Sequence, residues 1–324
     1  MKAVLCEAFG PAESLRLADL PEPAPGPGEV LVDVKAVGLN FFDTLIIRDR
    51  YQIKPPFPFS PGAEFSGQVA AVGPGVEHLC EGERVCGYVT YGAAREKLVV
   101  EAKYLAPIPD GLDYVKAAGL LVAYGTALYA LRERGELKPG ESLAVLGASG
   151  GVGLAAVELG KIMGARVIAC ASSEEKVAFA LRHGADAGLN YSTQNLKPAL
   201  KAFAGENGLD VVFDPVGGDY SEPALRALGW YGRLLVVGFA AGDIPRMPLN
   251  LLLLKNCDAR GVDFGGQSRK NPLWLRDAGA LLMGYAQEGR ISAHVDRTFP
   301  LEDCATAIGE IAGRRVKGKV VLTI

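Results

Sequence analysis

A run of apolar residues that ends on glycines, Leu143-Ala-Val-Leu-Gly-Ala-Ser-Gly-Gly-Val-Gly153, constrains this chain more than any other segment. It reads as a buried strand turning into a helix of small residues. Glycine at such a turn lets the backbone approach a pyrophosphate closely, and the amino terminus of the helix behind it favours negative charge. The motif is imperfect: Ala148 stands at the usual first glycine, Gly150 and Gly153 fill the other two fingerprint positions, and Gly151 is an extra. Any strand-to-helix turn can use glycine, so the motif acquires meaning only from what surrounds it.

Beyond Gly153 the chain alternates. Leu154 to Gly164 is small and apolar at helical spacing, Arg166-Val-Ile-Ala-Cys-Ala171 reads as the next buried strand, and Ser172 to His183 is helical again. Asp210-Val-Val-Phe-Asp214, a helix around Tyr220 to Leu228, Arg233-Leu-Leu-Val-Val-Gly238 and Asp258-Ala-Arg-Gly-Val-Asp263 continue it. Repeated strand and helix units of this length predict an α/β fold, a doubly wound parallel sheet with a dinucleotide across the carboxyl ends of its strands.

The preceding segments differ in texture. Glu29-Val-Leu-Val-Asp-Val-Lys-Ala-Val-Gly38 alternates as a half-buried strand does, and Phe65–Gly73, Glu83–Gly87 and Glu96–Val100 are further short strands between glycine turns. They predict a small, mostly antiparallel barrel. Gly119 to Arg134 reads as one long helix leading into the dinucleotide domain. Beyond Phe264, Trp274–Gln287 and Leu301–Ala312 are amphipathic helices, and the closing Gly318-Lys-Val-Val-Leu-Thr-Ile324 has the texture of the first domain, to which it is expected to return. A catalytic domain of residues 1–122 and 266–324 then encloses a dinucleotide-binding domain of residues 123–265, with substrate expected in the cleft between them.

Several classes are disfavoured by bulk properties. A net charge of −3 creates no basic field for nucleic acid or a membrane surface. The apolar stretch at the amino terminus is too short for a signal peptide, and no uncharged run reaches the roughly 18 residues a span needs, so a cytoplasmic protein is expected. The six cysteines form no Cys-x-x-Cys pair and are read as thiols. His78, His183 and His294 share no spacing and are read as ordinary residues, not catalytic bases.

Five segments in order, Gly38-Leu-Asn-Phe-Phe-Asp-Thr44, Pro61-Gly-Ala-Glu-Phe-Ser-Gly67 with Val72-Gly73, Ala123-Tyr-Gly-Thr-Ala-Leu-Tyr-Ala130, Ala148–Gly153 and Gly318-Lys-Val-Val-Leu, carry a resemblance over nearly the whole chain. They resemble the medium-chain dehydrogenase/reductase superfamily, and within it the zinc-free NADPH:quinone oxidoreductases, the zeta-crystallin-like group. The resemblance implies a GroES-like, mostly antiparallel barrel as catalytic domain, a six-stranded Rossmann domain that binds NADPH, and a homodimer joined through an edge strand of the dinucleotide sheet. Zinc-dependent members place a cysteine where this chain has Asn40 and a histidine where it has Ala63, and a structural four-cysteine lobe has no counterpart between Cys86 and Cys170. No metal site is therefore expected. Without a Lewis acid to polarise an alkoxide, the remaining chemistry is hydride delivery to an activated carbon, in a quinone or an enone.

Matching residue by residue, the phosphates fall to Ser149, Gly150, Gly151, Val152 and Gly153. Where an NAD enzyme keeps an acid on the ribose, this chain has Ala171, Ser172 and Ser173, followed by Lys176, which fits a 2′-phosphate. The local alternative is a capping box, Ser172-x-x-Glu175, and Glu174 and Glu175 would repel a phosphate if they faced it. Tyr191 matches an adenosine contact; Asn40, Thr126, Gly238 and Phe239 match positions around the nicotinamide. Thr126 and Asn40 could equally be satisfied polar groups, and Asp43 an N-cap for Thr44 to Arg48. Catalytic candidates are Asn40 and Tyr51, whose phenol can protonate a carbon beside a carbonyl, or else simply lines the cleft. Leu45 replaces a tyrosine frequent in bacterial quinone reductases and makes the pocket more apolar. Competing readings are an enoyl-thioester (enoyl-CoA) reductase, for which only Lys35, Arg48, Arg50 and Lys54 are scattered through the first domain, and an NADPH-binding structural or RNA-binding protein, which the acidic balance opposes.

Overall fold

Strand Ser142–Leu146 is buried at all five positions, as an apolar run covered on both faces must be. In the computed structural model, which describes residues 1–324, it is an inner strand of a six-stranded, wholly parallel sheet. The order across that sheet is Ala187–Asn190, Arg166–Ala171, Ser142–Leu146, Leu209–Asp214, Leu228–Val236 and Asp258–Gly261. The chain winds outward on one side from Ser142, then returns to the other side at Leu209. The order therefore reverses between Ser142–Leu146 and Leu209–Asp214, where Val211 pairs with Leu143 and Phe213 with Val145. In open α/β sheets ligands bind at the carboxyl ends beside such a reversal. Helix Gly151–Ile162 lies close to the sheet because it is built of small residues: a Cβ at Gly160 would stand 2.7 Å from Leu143 Cδ2.

This sheet and its helices form one compact unit, residues 126–264; residues 1–125 and 265–324 form the other. Strand Ala187–Asn190 and helix Leu196–Ala204 lie in a stretch where the sequence shows no alternation, between His183 and Asp210. The strand is a four-residue edge of Ala, Gly, Leu and Asn without a β-branched residue, and the helix carries Pro198 in its first turn. Such elements take shape from packing more than from propensity.

In the other unit, the eleven-residue strand Glu29–Leu39 is the spine of a seven-stranded sheet. Along one edge it pairs antiparallel with Lys97–Glu101 and then with Lys319–Thr323; along the other it pairs with Glu64–Val72. Arg84–Tyr88 and Leu105–Pro107 extend the sheet antiparallel, while Val295–Pro300 joins Lys319–Thr323 in parallel. Val30, Val32, Val37, Phe65, Val85 and Leu322 are buried in its core with Ile308 of helix Cys304–Ala312. The carboxyl-terminal strand thus returns to the first part of the chain, with Val320 opposite Leu39.

The expected helix over Gly119–Arg134 starts at Leu121 and changes pitch along its length, and a separate short helix precedes it. Tyr114–Ala118 ends at Gly119, Leu121–Leu128 follows, and Tyr129–Arg134 widens into a π-helical turn in which Gly135 N–H reaches Ala130 O. No helix is long and apolar enough to cross a membrane.

Candidate active site

The turn after Ser142–Leu146 is built by Gly147, directly before the fingerprint position that Ala148 fills. Gly147 has φ +61°, the left-handed conformation that side chains resist. Its carbonyl accepts the Gly150 N–H at 3.0 Å, and Ala148 N–H is held by Cys170 O at 3.0 Å. Gly153 is required by close approach, since a Cβ there would stand 2.2 Å from Gly147 O. At Gly150 a Cβ would meet only Gly147 O, at 3.5 Å, so its outer side is open. Gly150 caps helix Gly151–Ile162 without a side-chain acceptor, and the first helical bond is Leu154 N–H to Gly150 O. The N–H groups of the first turn therefore have no intrahelical partner, an arrangement that suits an anion. Ser149 is buried beside them.

At the end of Arg166–Ala171 the cap of helix Glu174–Arg182 is Ser173, whose Oγ accepts the Lys176 N–H at 3.3 Å. The capping box starting at Ser172 is thereby corrected: Ser172 is exposed, and its carbonyl accepts Ser192 Oγ at 2.9 Å. Glu174 is tethered, accepting Asn190 Nδ2 at 2.9 Å, and Lys176 is half-buried. Tyr191 is pinned by its N–H to Ala171 O and packs on Tyr220, ring centroids 4.5 Å apart.

The neighbouring strand ends are zipped together. Asp214, buried, accepts the N–H groups of Val216 and Gly217 at 2.9 Å each and Ser221 Oγ at 2.5 Å. Its carbonyl accepts Val237 and Gly238, and Ala240 reaches Pro215 O. These bonds set Gly238 and the partly exposed Phe239 at the carboxyl edge of the sheet. Thr126, in helix Leu121–Leu128, is almost fully buried.

In the other unit, Asn40 lies in a buried polar cluster. Its Nδ2 donates to Glu64 Oε1 at 2.9 Å and to Gly38 O at 3.3 Å, while its Oδ1 accepts Lys319 Nζ at 2.7 Å. Lys319 also donates to Glu64 Oε1 at 2.6 Å and Leu39 O at 2.8 Å. Glu64 Oε2 accepts the Val122 N–H at 2.8 Å. Gly38 has no room for a side chain here: a Cβ would be 2.2 Å from Ala118 O. Asp43 is not an N-cap. Its carboxylate accepts Asn40 N–H at 2.7 Å and Gly62 N–H at 2.9 Å, bridging two loops. Burial pushes its pKa up to about 6, against the two N–H groups and the Lys319 charge that favour the anion, with the Glu64 charge adding to the rise. Ala63 is fully buried and offers no ligand atom.

Tyr51 is half-buried, its ring stacked on Phe42 at 5.3 Å and 25° and packed against the apolar core. Gly147, Asp214 and Tyr220 in one unit, and Glu64 and Lys319 in the other, receive their roles only from the structure. Gly147 has a local signal in its place directly after the strand, and Glu64 and Lys319 stand inside the quoted motifs, but nothing there pairs them.

Residues 26–110 match the family model described as the alcohol dehydrogenase GroES-like domain, and residues 151–276 that described as zinc-binding dehydrogenase. The chain is 40% identical to quinone oxidoreductase-like protein 2 of Rattus norvegicus over 92% of this chain and 86% of that protein. It is 34% identical to the quinone oxidoreductase of Pseudomonas aeruginosa over 99% of each. Among solved structures, the Escherichia coli quinone oxidoreductase complexed with NADPH superposes with a TM-score of 0.94 at 29% identity, covering 100% of both chains.

Proposed function

Since this chain belongs to the zinc-free quinone oxidoreductase group of the medium-chain dehydrogenase/reductase superfamily, we propose that it is an NADPH-dependent reductase acting on a quinone or an activated enone. The observation that carries the choice of acceptor is Asn40 and Ala63 at the positions where zinc-dependent members hold their metal. One is locked by an ammonium and a carboxylate and the other is a buried methyl, so the residues present do not fit a catalytic zinc. An acceptor that is already electrophilic does not need one.

The cradle at Gly147–Gly153 fits the pyrophosphate, and NADPH bound there supplies the hydride. Gly151, Val152 and Gly153 bring backbone N–H groups to the phosphates, Gly150, whose own N–H is bonded to Gly147 O, leaves room for their approach, and Ser149 lies beside them. Ser172, Ser173 and Lys176 are read as the 2′-phosphate contacts and Tyr191, braced by Tyr220, as the adenosine contact. Asn40, Thr126, Gly238 and Phe239 are read as the residues that orient the nicotinamide. Tyr51 offers a phenol to the carbon beside an enone carbonyl; a quinone, reduced to an oxygen anion, takes its proton from water.

A homodimer is proposed through the outer edge of strand Asp258–Gly261, which has no further strand beyond it, together with the exposed Leu249, Leu253 and Leu254.

Turnover of NADPH against a panel of quinones, enones and acyl-coenzyme A enoates tests the reading, and quinones or simple enones are expected to rank first. An acyl-coenzyme A enoate at the head of the ranking transfers the chain to the enoyl-thioester reductases, and tight NADPH binding without turnover makes it a binding protein. Tyr51→Phe is expected to lower enone reduction by about 10²–10⁴-fold, leaving quinone reduction and NADPH affinity near wild type. Loss of both activities with weaker substrate binding would make Tyr51 a wall of the pocket.

A further inference from the structure

The closing motif Gly318-Lys-Val-Val-Leu does more than complete a sheet. Lysine is a donor only, with three protons, and all three are spent on Leu39 O, Asn40 Oδ1 and Glu64 Oε1. A carboxylate is an acceptor only, and Glu64 receives Lys319 and Asn40 on one oxygen and Val122 N–H on the other. An asparagine amide set between a pure donor and a pure acceptor has one orientation. Flipping it would turn Nδ2 toward the ammonium and Oδ1 toward the carboxylate, making both contacts repulsive in a place where Lys319 and Glu64 are 5% and 1% exposed.

We propose that Lys319, with Glu64, is a positioning residue that locks the Asn40 carboxamide with both its N–H groups turned inward. The polar capacity Asn40 then retains is one lone pair of Oδ1. It can accept from an N–H or O–H group of a ligand and cannot donate to one. This rests on the reading that Asn40 meets the cofactor or substrate, and it assigns the kind of contact: an amide or hydroxyl proton, such as a carboxamide NH₂ offers, is held by Asn40. A developing oxyanion on the acceptor receives no hydrogen bond from it. Electrophilic help to a quinone or enone oxygen must come from another donor or from water.

The test uses the intact protein, labelled with ¹⁵N-asparagine, with the side-chain signal of Asn40 assigned from Asn40→Ser. The two Asn40 amide protons are expected to exchange slowly with solvent and to keep their shifts when NADP⁺ is added. Rapid exchange, or a large shift of these protons on NADP⁺ binding, means that Asn40 donates to the ligand and overturns the proposal. A second arm measures kcat and KM with 1,4-benzoquinone for Lys319→Met, Asn40→Ala and the double variant. If Lys319 acts through Asn40, Lys319→Met costs about tenfold or more in kcat/KM with Asn40 present and under about twofold with Ala at position 40. Equal losses in both backgrounds mark Lys319 as a general structural lysine and overturn the proposal. Should Lys319→Met fail to fold, the resonance arm, which needs only the wild-type lysine, decides. Wild-type protein that neither binds NADP(H) nor oxidises it refutes the functional reading instead, a result visible before any variant of Lys319 is made.

Discussion

Gly150 and Gly153 look alike in the sequence and do different work. Gly153 has no space for a methyl, with Gly147 O 2.2 Å from its Cβ direction, whereas Gly150 faces open space. Gly153→Ala is therefore expected to destabilise the unliganded protein by about 1–3 kcal/mol. Gly150→Ala should leave the unliganded melting temperature near that of wild type and weaken NADPH binding. Equal melting temperatures for the two variants would refute this division. Lys176→Ala is expected to weaken NADPH by about 1.5–3 kcal/mol while leaving NADH unchanged, measured by fluorescence titration of each cofactor. Asp43 carries a pH signature. Its folded-state pKa of about 6 lies above the ordinary 3.8, so between those values the folded protein binds the proton more tightly than the unfolded chain. Its contribution to stability is therefore greatest below about pH 4, declines as pH rises to about 6, and is level above that. Urea unfolding at stepped pH should show a shallower decline across this window in Asp43→Asn than in wild type.

The carboxyl-terminal strand Lys319–Thr323 is bonded on both sides, to Glu29–Leu39 and to Val295–Pro300, and it delivers the lysine that neutralises the buried Glu64. Removing residues 319–324 deletes both ladders and leaves that carboxylate uncompensated. The truncated chain is expected to lose cooperative unfolding of the unit that contains it, seen as a lost near-ultraviolet dichroism signal; a native-like spectrum would show the strand to be dispensable. Helix Pro272–Gln287 illustrates local control: Asn271 Oδ1 accepts the Trp274 N–H at 3.1 Å, and Pro272 stands at the first position, where its missing N–H costs nothing. The sequence places this helix start within two residues because cap chemistry is local.

For the protein as a unit of assembly, the dinucleotide sheet ends on strand Asp258–Gly261, with Leu253 at 76% and Leu254 at 67% exposure in the preceding helix Asn250–Lys255. An unpaired parallel edge beside exposed leucines is a surface that another copy can cover. The double variant Leu253→Asp/Leu254→Asp is expected to run as a monomer in sedimentation or light scattering where wild type runs as a dimer, with NADPH binding retained. A wild-type monomer at micromolar concentration removes the dimer from the reading.

Elements that repeat a demand along the chain are legible in the sequence alone. Arg166–Ala171 and Leu209–Asp214 are inner strands covered on both faces, so their apolar runs announce them; Glu29–Leu39 is legible as a strand from its alternation through Asp33 and Lys35, but it is buried on both faces at 30–32 and 36–39, not half-buried as that alternation predicts. Ala187–Asn190 and Leu196–Ala204 are not legible, because a short edge strand without β-branched residues has no such demand to record. The fold-wide motifs point to Asn40, yet its role depends on partners distant in sequence. Lys319 lies 255 residues from Glu64 and 279 from Asn40. No spacing rule connects a carboxylate in one strand to an ammonium at the far end of the chain. Their meeting, and the single orientation it imposes on an amide, comes from the strand order that sets Lys319–Thr323 against Glu29–Leu39, because a buried charge must find its counter-charge wherever the fold brings one within reach.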